Sequence, residues 1–124
     1  MVDERGLVAY RIFHRTVKTD PPSRRDFMSN KDLGKAPRGD ELRDPSLWEG
    51  LSVMDTLERG VARAEQFQMH RSFVAELTLP IGGLIHWKRT GKAQGHFTVW
   101  GNADAILACV TGVIDVNAPE EGQP

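Results

Sequence analysis

One cysteine, Cys109, is all that this chain contains, so no internal disulfide can form. It stands in the apolar run from Ile106 to Val110, where a thiol reads as packing rather than as a nucleophile. No apolar run approaches the ~20 residues that a membrane-spanning helix requires. The opening residues are polar and acidic and lack the apolar centre of a secretion signal. The expectation is therefore a cytoplasmic protein with no membrane partner. Neither sign of charge dominates. Sixteen Lys and Arg oppose 17 Asp and Glu, for a net charge of -1, which speaks against duplex DNA as a partner. The familiar local signatures of chemistry are also missing. There is no phosphate-cradling P-loop, no Gly-rich dinucleotide fingerprint, no CxxC, no HExxH and no GxSxG. The four histidines, His14, His70, His86 and His96, form no helix-spaced pair, and with a single cysteine no metal is expected.

What is present fits one domain over residues 1–124, with 40% hydrophobic and 27% charged residues. The charge is uneven along the chain. Residues 1–43 hold 10 Lys and Arg against 7 Asp and Glu, or +3, whereas residues 44–124 hold 6 against 10, or -4.

The clearest stretch runs from Trp48 to Phe67. After Gly50, Leu51 to Met54 reads as a short strand. Asp55 stands as an N-cap with Glu58 three residues on, in the manner of a capping box. Leu57, Val61, Ala64 and Phe67 then form the apolar stripe of the main helix. Such strand-to-helix junctions open at the mouth of a sheet, where ligands often bind.

Around this unit the pattern is mostly strands. Leu7 to Val17 alternates, with apolar residues on both faces, and reads as a central strand covered on two sides. Residues 18–47 form a long connection broken by Pro21, Pro22, Gly34, Pro37, Gly39 and Pro45, of the length that is often functional. A helix over about residues 24–33, opened by Ser23 with Asp26 and closed by Gly34, is expected within it. Its Arg24, Arg25, Lys31, Lys35, Arg38 and Arg43 make it a candidate anion-facing flap, although Asp26, Asp32, Asp40, Glu41 and Asp44 are interleaved. Further strands are expected at Phe73–Leu79, Leu84–Arg89, His96–Trp100 and Cys109–Val116, with a short helix capped by Asn102. Residues 1–6 and 118–124 read as polar tails. Strands that do not alternate strictly with helices give α+β: a curved, split antiparallel sheet of five to six strands, one main helix and one or two short ones.

Polar residues inside apolar strands are the candidate site. His14, Arg15, Ser52 and His96 are so placed, and two histidines with an arginine suit general acid–base work on a phosphodiester. The order of elements, with Tyr10-Arg11-Ile12-Phe13-His14-Arg15 first and Gly50-Leu51-Ser52-Val53-Met54-Asp55 before the helix, resembles the ADP-ribosyltransferase superfamily. Its small RES-type toxins, which act on NAD, and its tRNA 2′-phosphotransferases are the nearest in pattern. The resemblance implies that Arg11, His14 and Arg15 hold the ribose and phosphates of NAD, that Ser52 lines the nicotinamide pocket, and that Trp48 borders the cofactor. It also implies a glutamate on a late strand, to stabilise positive charge growing on the sugar. Here that strand opens with His96 instead. A histidine in that place suits phosphate chemistry or a non-catalytic descendant. Three functions stand open on the sequence: an ADP-ribosyltransferase-like domain with His14, His96 and Ser52 as catalytic residues, a binding module of the regulatory or immunity kind with a protein partner, and a metal-independent ribonuclease with His14 and His96 as acid and base.

Overall fold

The computed structural model describes residues 9–66 and 73–117. Leu7 and Val8 of the first strand, Phe67 of the helix stripe, His70 and both tails lie outside them. Six strands form one antiparallel open sheet: β1 (Tyr10–Val17), β2 (Leu51–Met54), β3 (Phe73–Pro80), β4 (His86–Arg89), β5 (His96–Trp100) and β6 (Val110–Asp115), in the order β4-β5-β2-β1-β3-β6. The architecture is α+β, with a single helix of any length, α3 (Leu57–Gln66). Shorter helices are α1 (Asp40–Arg43), α2 (Pro45–Trp48) and α4 (Ala103–Leu107), with a 3-10 turn at Arg24–Phe27.

Strand alternation sorts the sheet into two faces. Phe13, Val17, Ala75, Leu77, Leu79, Val53 and Val99 point into one core, closed by Phe27 from the 3-10 turn and by Ile106 of α4. Phe13 is fully buried, edge-on to Trp87 at 5.6 Å and tilted against Phe97 at 5.0 Å. Asn102 caps α4 as expected, accepting from the Asp104 N–H at 2.8 Å. Cys109 is half-buried, and burial pushes its thiol pKa up, away from the reactive thiolate.

The opposite face departs from a fully covered sheet. Tyr10 and Ile12 are 54% and 46% exposed, so β1 is covered on that side only towards its C-terminal end. There α3 lies against β1 and β3. It comes so close at Gly60 that a Cβ would stand 3.0 Å from that of His14 and 3.2 Å from a Val74 methyl. The buried stripe of α3 is accordingly Gly60 and Ala64, while Leu57 is 38% exposed. Close approach selects the smallest side chain and turns the helix away from its bulkier residues. The cap also moves by one residue. The Thr56 hydroxyl accepts from the Arg59 N–H at 3.2 Å, and Asp55 pairs instead with the Arg59 guanidinium at 2.7 Å.

In the long connection, the helix expected over 24–33 shortens to the 3-10 turn. Asp26 still reaches back to the Ser23 N–H at 2.9 Å, but Met28 is already extended. The chain recovers helix later. Asp44 caps α2 through the Ser46 N–H at 3.1 Å, with Pro45 at the first helical position.

Candidate functional site

Two strands at the centre of the sheet barely meet. β1 and β3 pair over their whole length, from Tyr10–Pro80 to Val17–Phe73. Between β1 and β2 the register holds one pair, His14–Met54. Beyond it the strands part, and the gap is bridged by Arg15, whose Nη1 donates to the Ser52 carbonyl and whose Nε donates to the Asp26 carbonyl, both at 2.8 Å. Only an arginine, with its fork of N–H groups, can serve two carbonyls in this way.

A cavity of about 430 Å³ opens at the parted ends, within the ~300–1,000 Å³ range of small-molecule sites. β1 contributes His14, Arg15 and Thr16, and β2 contributes Leu51 to Met54. Alternation sends His14 and Arg15 to opposite faces, yet the gap lets both border one hollow. The long connection supplies the outer wall, including Asn30, Lys35, Arg38 and Glu41, and α3 supplies Arg63. Five cationic side chains, Arg15, Lys18, Lys35, Arg38 and Arg63, thus surround the space against one carboxylate, Glu41. That carboxylate is committed to the loop itself, accepting from the Asn30 amide at 2.9 Å and the Arg38 N–H at 3.1 Å. Among the described residues, Lys18, Lys35 and Arg38 make no ion pair.

His14 is the most unusual group here. It is 8% exposed, and its Nδ1 is buried with no hydrogen-bond partner among the described residues. Burial lowers its pKa from the ordinary 6.5, against the upward pull of the Glu76 and Asp55 carboxylates. Burial thus disfavours its charged form. His96 lies in the same row of the sheet, because Met54 pairs with both. Two strand spacings separate the backbones, about 9–10 Å. His96 does not line the cavity. Its Nδ1 donates to the Thr90 carbonyl at 2.9 Å. Burial lowers its pKa, the Thr90 bond opposes this, and the positive charge of Arg63 adds to the lowering.

Of the residues expected in the site, His14, Arg15 and Ser52 converge on the cavity. Ser52 has an exposed side chain, and its carbonyl is taken by Arg15. Arg11 and Trp48 stand elsewhere. Arg11 stacks over Phe13 and Phe97, 5.0 and 5.1 Å from the ring centres, on the core face and far along β1 from the gap. Trp48 donates from its indole to the Lys35 carbonyl at 2.8 Å and has the Lys31 ammonium over its ring, which braces the loop. Of the six loop cations, Lys35 and Arg38 face the cavity, whereas Arg24 pairs with Asp104 and Lys31 with Glu49. Lys18, Asn30 and Arg63 are additions; loop curvature and the pitch of α3 bring them in, and no spacing in the sequence marks them. Among the described residues, no three His, Cys, Asp or Glu side chains gather as a metal site, and no helix is long and apolar enough to cross a membrane.

No protein-family model, curated protein or solved structure matches the chain.

The buried His14 and the half-buried His96, both with lowered pKa values, give the fold a defined acid sensitivity. Each has a folded-state pKa below its unfolded value. Between those values the unfolded chain binds more protons, so stability falls as the pH drops below about 6.5 and is insensitive to these groups above it. The urea midpoint is expected to decline between pH 7 and pH 5 in the wild type and to decline less in His14→Gln. Identical slopes in the two proteins would assign the sensitivity to other groups.

Proposed function

We propose that the cavity binds NAD or a related phosphorylated nucleotide, as an ADP-ribosyltransferase-like domain would. The observation that carries this reading is the surplus of cations around a hollow of small-molecule size. Phosphate oxygens would complement Lys18, Lys35 and Arg38, whose charges have no internal partner among the described residues. An anion would also favour protonation of His14, giving its buried Nδ1 a charge to answer.

The chemistry after binding has less support. Glycosyl transfer needs a carboxylate at the sugar, and Glu41 is spent on Asn30 and the loop backbone. Glu76 faces His14 across β1 and β3, but it accepts from Thr111 at 2.6 Å and does not border the cavity. This commitment of carboxylates favours nucleotide binding without transfer. The paired-histidine ribonuclease gains nothing from the geometry, since His14 borders the cavity and His96 is held at Thr90.

Titration calorimetry with NAD at low salt tests the reading. Binding is expected in the wild type, and the double substitution Lys35→Glu with Arg38→Glu is expected to weaken it about 100-fold or more, since two attractive contacts become repulsive. Equal affinity in both proteins, or no heat in the wild type, removes the proposal. Release of nicotinamide by the wild type would favour transfer over simple binding.

A further inference from the structure

A second hollow adjoins the first. It has a volume of about 170 Å³ and shares Arg15, Lys18 and Lys35 with the larger cavity. Those cations form the dividing wall between the two. The 3-10 turn adds Arg25, which borders the small hollow and not the large one. Its size lies below the ~300 Å³ floor of sites that hold a whole small molecule. It therefore suits one group of a ligand whose bulk sits next door.

The chemistry of the lining says which group. The one carboxylate there is Asp26, and both its oxygens are engaged. Oδ1 accepts from the Lys18 N–H at 3.1 Å, and Oδ2 accepts from the Ser23 N–H at 2.9 Å and faces the Ser23 hydroxyl at 3.3 Å. Asp26 thus holds the turn in shape through backbone donors. It leaves the Lys18, Arg25 and Lys35 side chains without an ion pair among the described residues. Arg24, one residue earlier, is already neutralised by Asp104 at 3.0 Å, away from the hollow. Three cations without an ion pair among the described residues, around a hollow of about 170 Å³, fit a phosphoryl group.

We infer that the small hollow is a second anion subsite, so that the ligand is a nucleotide with at least two phosphoryl groups, one borne across the Lys18–Lys35 wall and the next received by Arg25. This rests on the nucleotide reading of the larger cavity and narrows it, since a nucleoside monophosphate would leave the small hollow empty.

Calorimetric titration at fixed ionic strength with adenosine monophosphate and adenosine diphosphate tests the inference, using the wild type, Arg25→Gln and, as a control of equal charge, Arg24→Gln. The diphosphate is expected to bind about tenfold more tightly than the monophosphate to the wild type and to Arg24→Gln. In Arg25→Gln that advantage is expected to vanish while the monophosphate affinity stays unchanged. Equal affinities for the two nucleotides in the wild type overturn the second subsite and leave the nucleotide reading standing. So does loss of the advantage in both variants alike, which is a general charge effect. No binding of either nucleotide to the wild type overturns both.

Discussion

Arg15→Met is expected to lower the unfolding free energy by about 3 kcal/mol or more, a large share of the ~5–15 kcal/mol that holds a domain together. The side chain is 9% exposed and donates two charge-assisted bonds at 2.8 Å. Each such bond is worth roughly 1.5–3 kcal/mol. Methionine keeps the length and the apolar stem but donates nothing. Arg15→Lys is expected to recover less than half, because one ammonium cannot match a planar fork to two separated carbonyls. Urea unfolding followed by circular dichroism measures the difference, with an unchanged m-value if the folded state stays compact. A loss under 1 kcal/mol would mean that Arg15 is not the bridge between β1 and β2. The site is expected to suffer too. With the Ser52 carbonyl released, the parted ends lose their tie and nucleotide affinity falls even in the folded fraction.

Phe13→Ala is expected to have a comparable or greater effect, about 3–5 kcal/mol. Phe13 has no exposed surface and touches rings on two other strands, Trp87 of β4 and Phe97 of β5. Removing its ring leaves a hole that a six-stranded sheet cannot close by local collapse. It also removes one of the two rings over which the Arg11 guanidinium lies. Phe13→Leu is expected to cost far less, because it keeps most of the volume. Thermal unfolding of the two variants gives the comparison, and equal melting temperatures for alanine and leucine would contradict the central place of this ring.

The strands were legible because their inward residues alternate cleanly. Phe73, Ala75, Leu77 and Leu79 declare the core face of β3, and its buried pattern follows them. Asn102 declared α4 for an equally local reason, since a cap acts within a single turn. The site was legible where function departs from strand composition. A histidine and an arginine side by side in an apolar strand led to His14 and Arg15, and both border the cavity. Arg11 looked the same by that criterion. What separates it is position along β1, opposite Leu79 and ahead of the His14–Met54 pair rather than at the gap, and register is a property of pairing that no single strand reveals. His14 and His96 share one row of the sheet with Met54 between them, and of the two only His14 borders the cavity. Of the apolar stripe expected on α3, Ala64 is buried and Leu57 is exposed, and Gly60 joins the buried face without any hydrophobic signal to mark it. Gly60 is buried for lack of a side chain, and periodicity reads only the side chains that exist.

The order of strands has a consequence for how this chain acquires its shape on the ribosome. β1 comes first in sequence among the described strands and lies in the interior of the sheet, between β2 and β3. Its eight-residue partner β3 ends at Pro80. Until that segment has emerged, the amides and carbonyls of β1 on that side lack their β3 partners, and the hairpin of near neighbours among the described residues, β4 with β5, is made later still. Domains assembled from distant segments in this way fold slowly and expose unsatisfied edges while they wait.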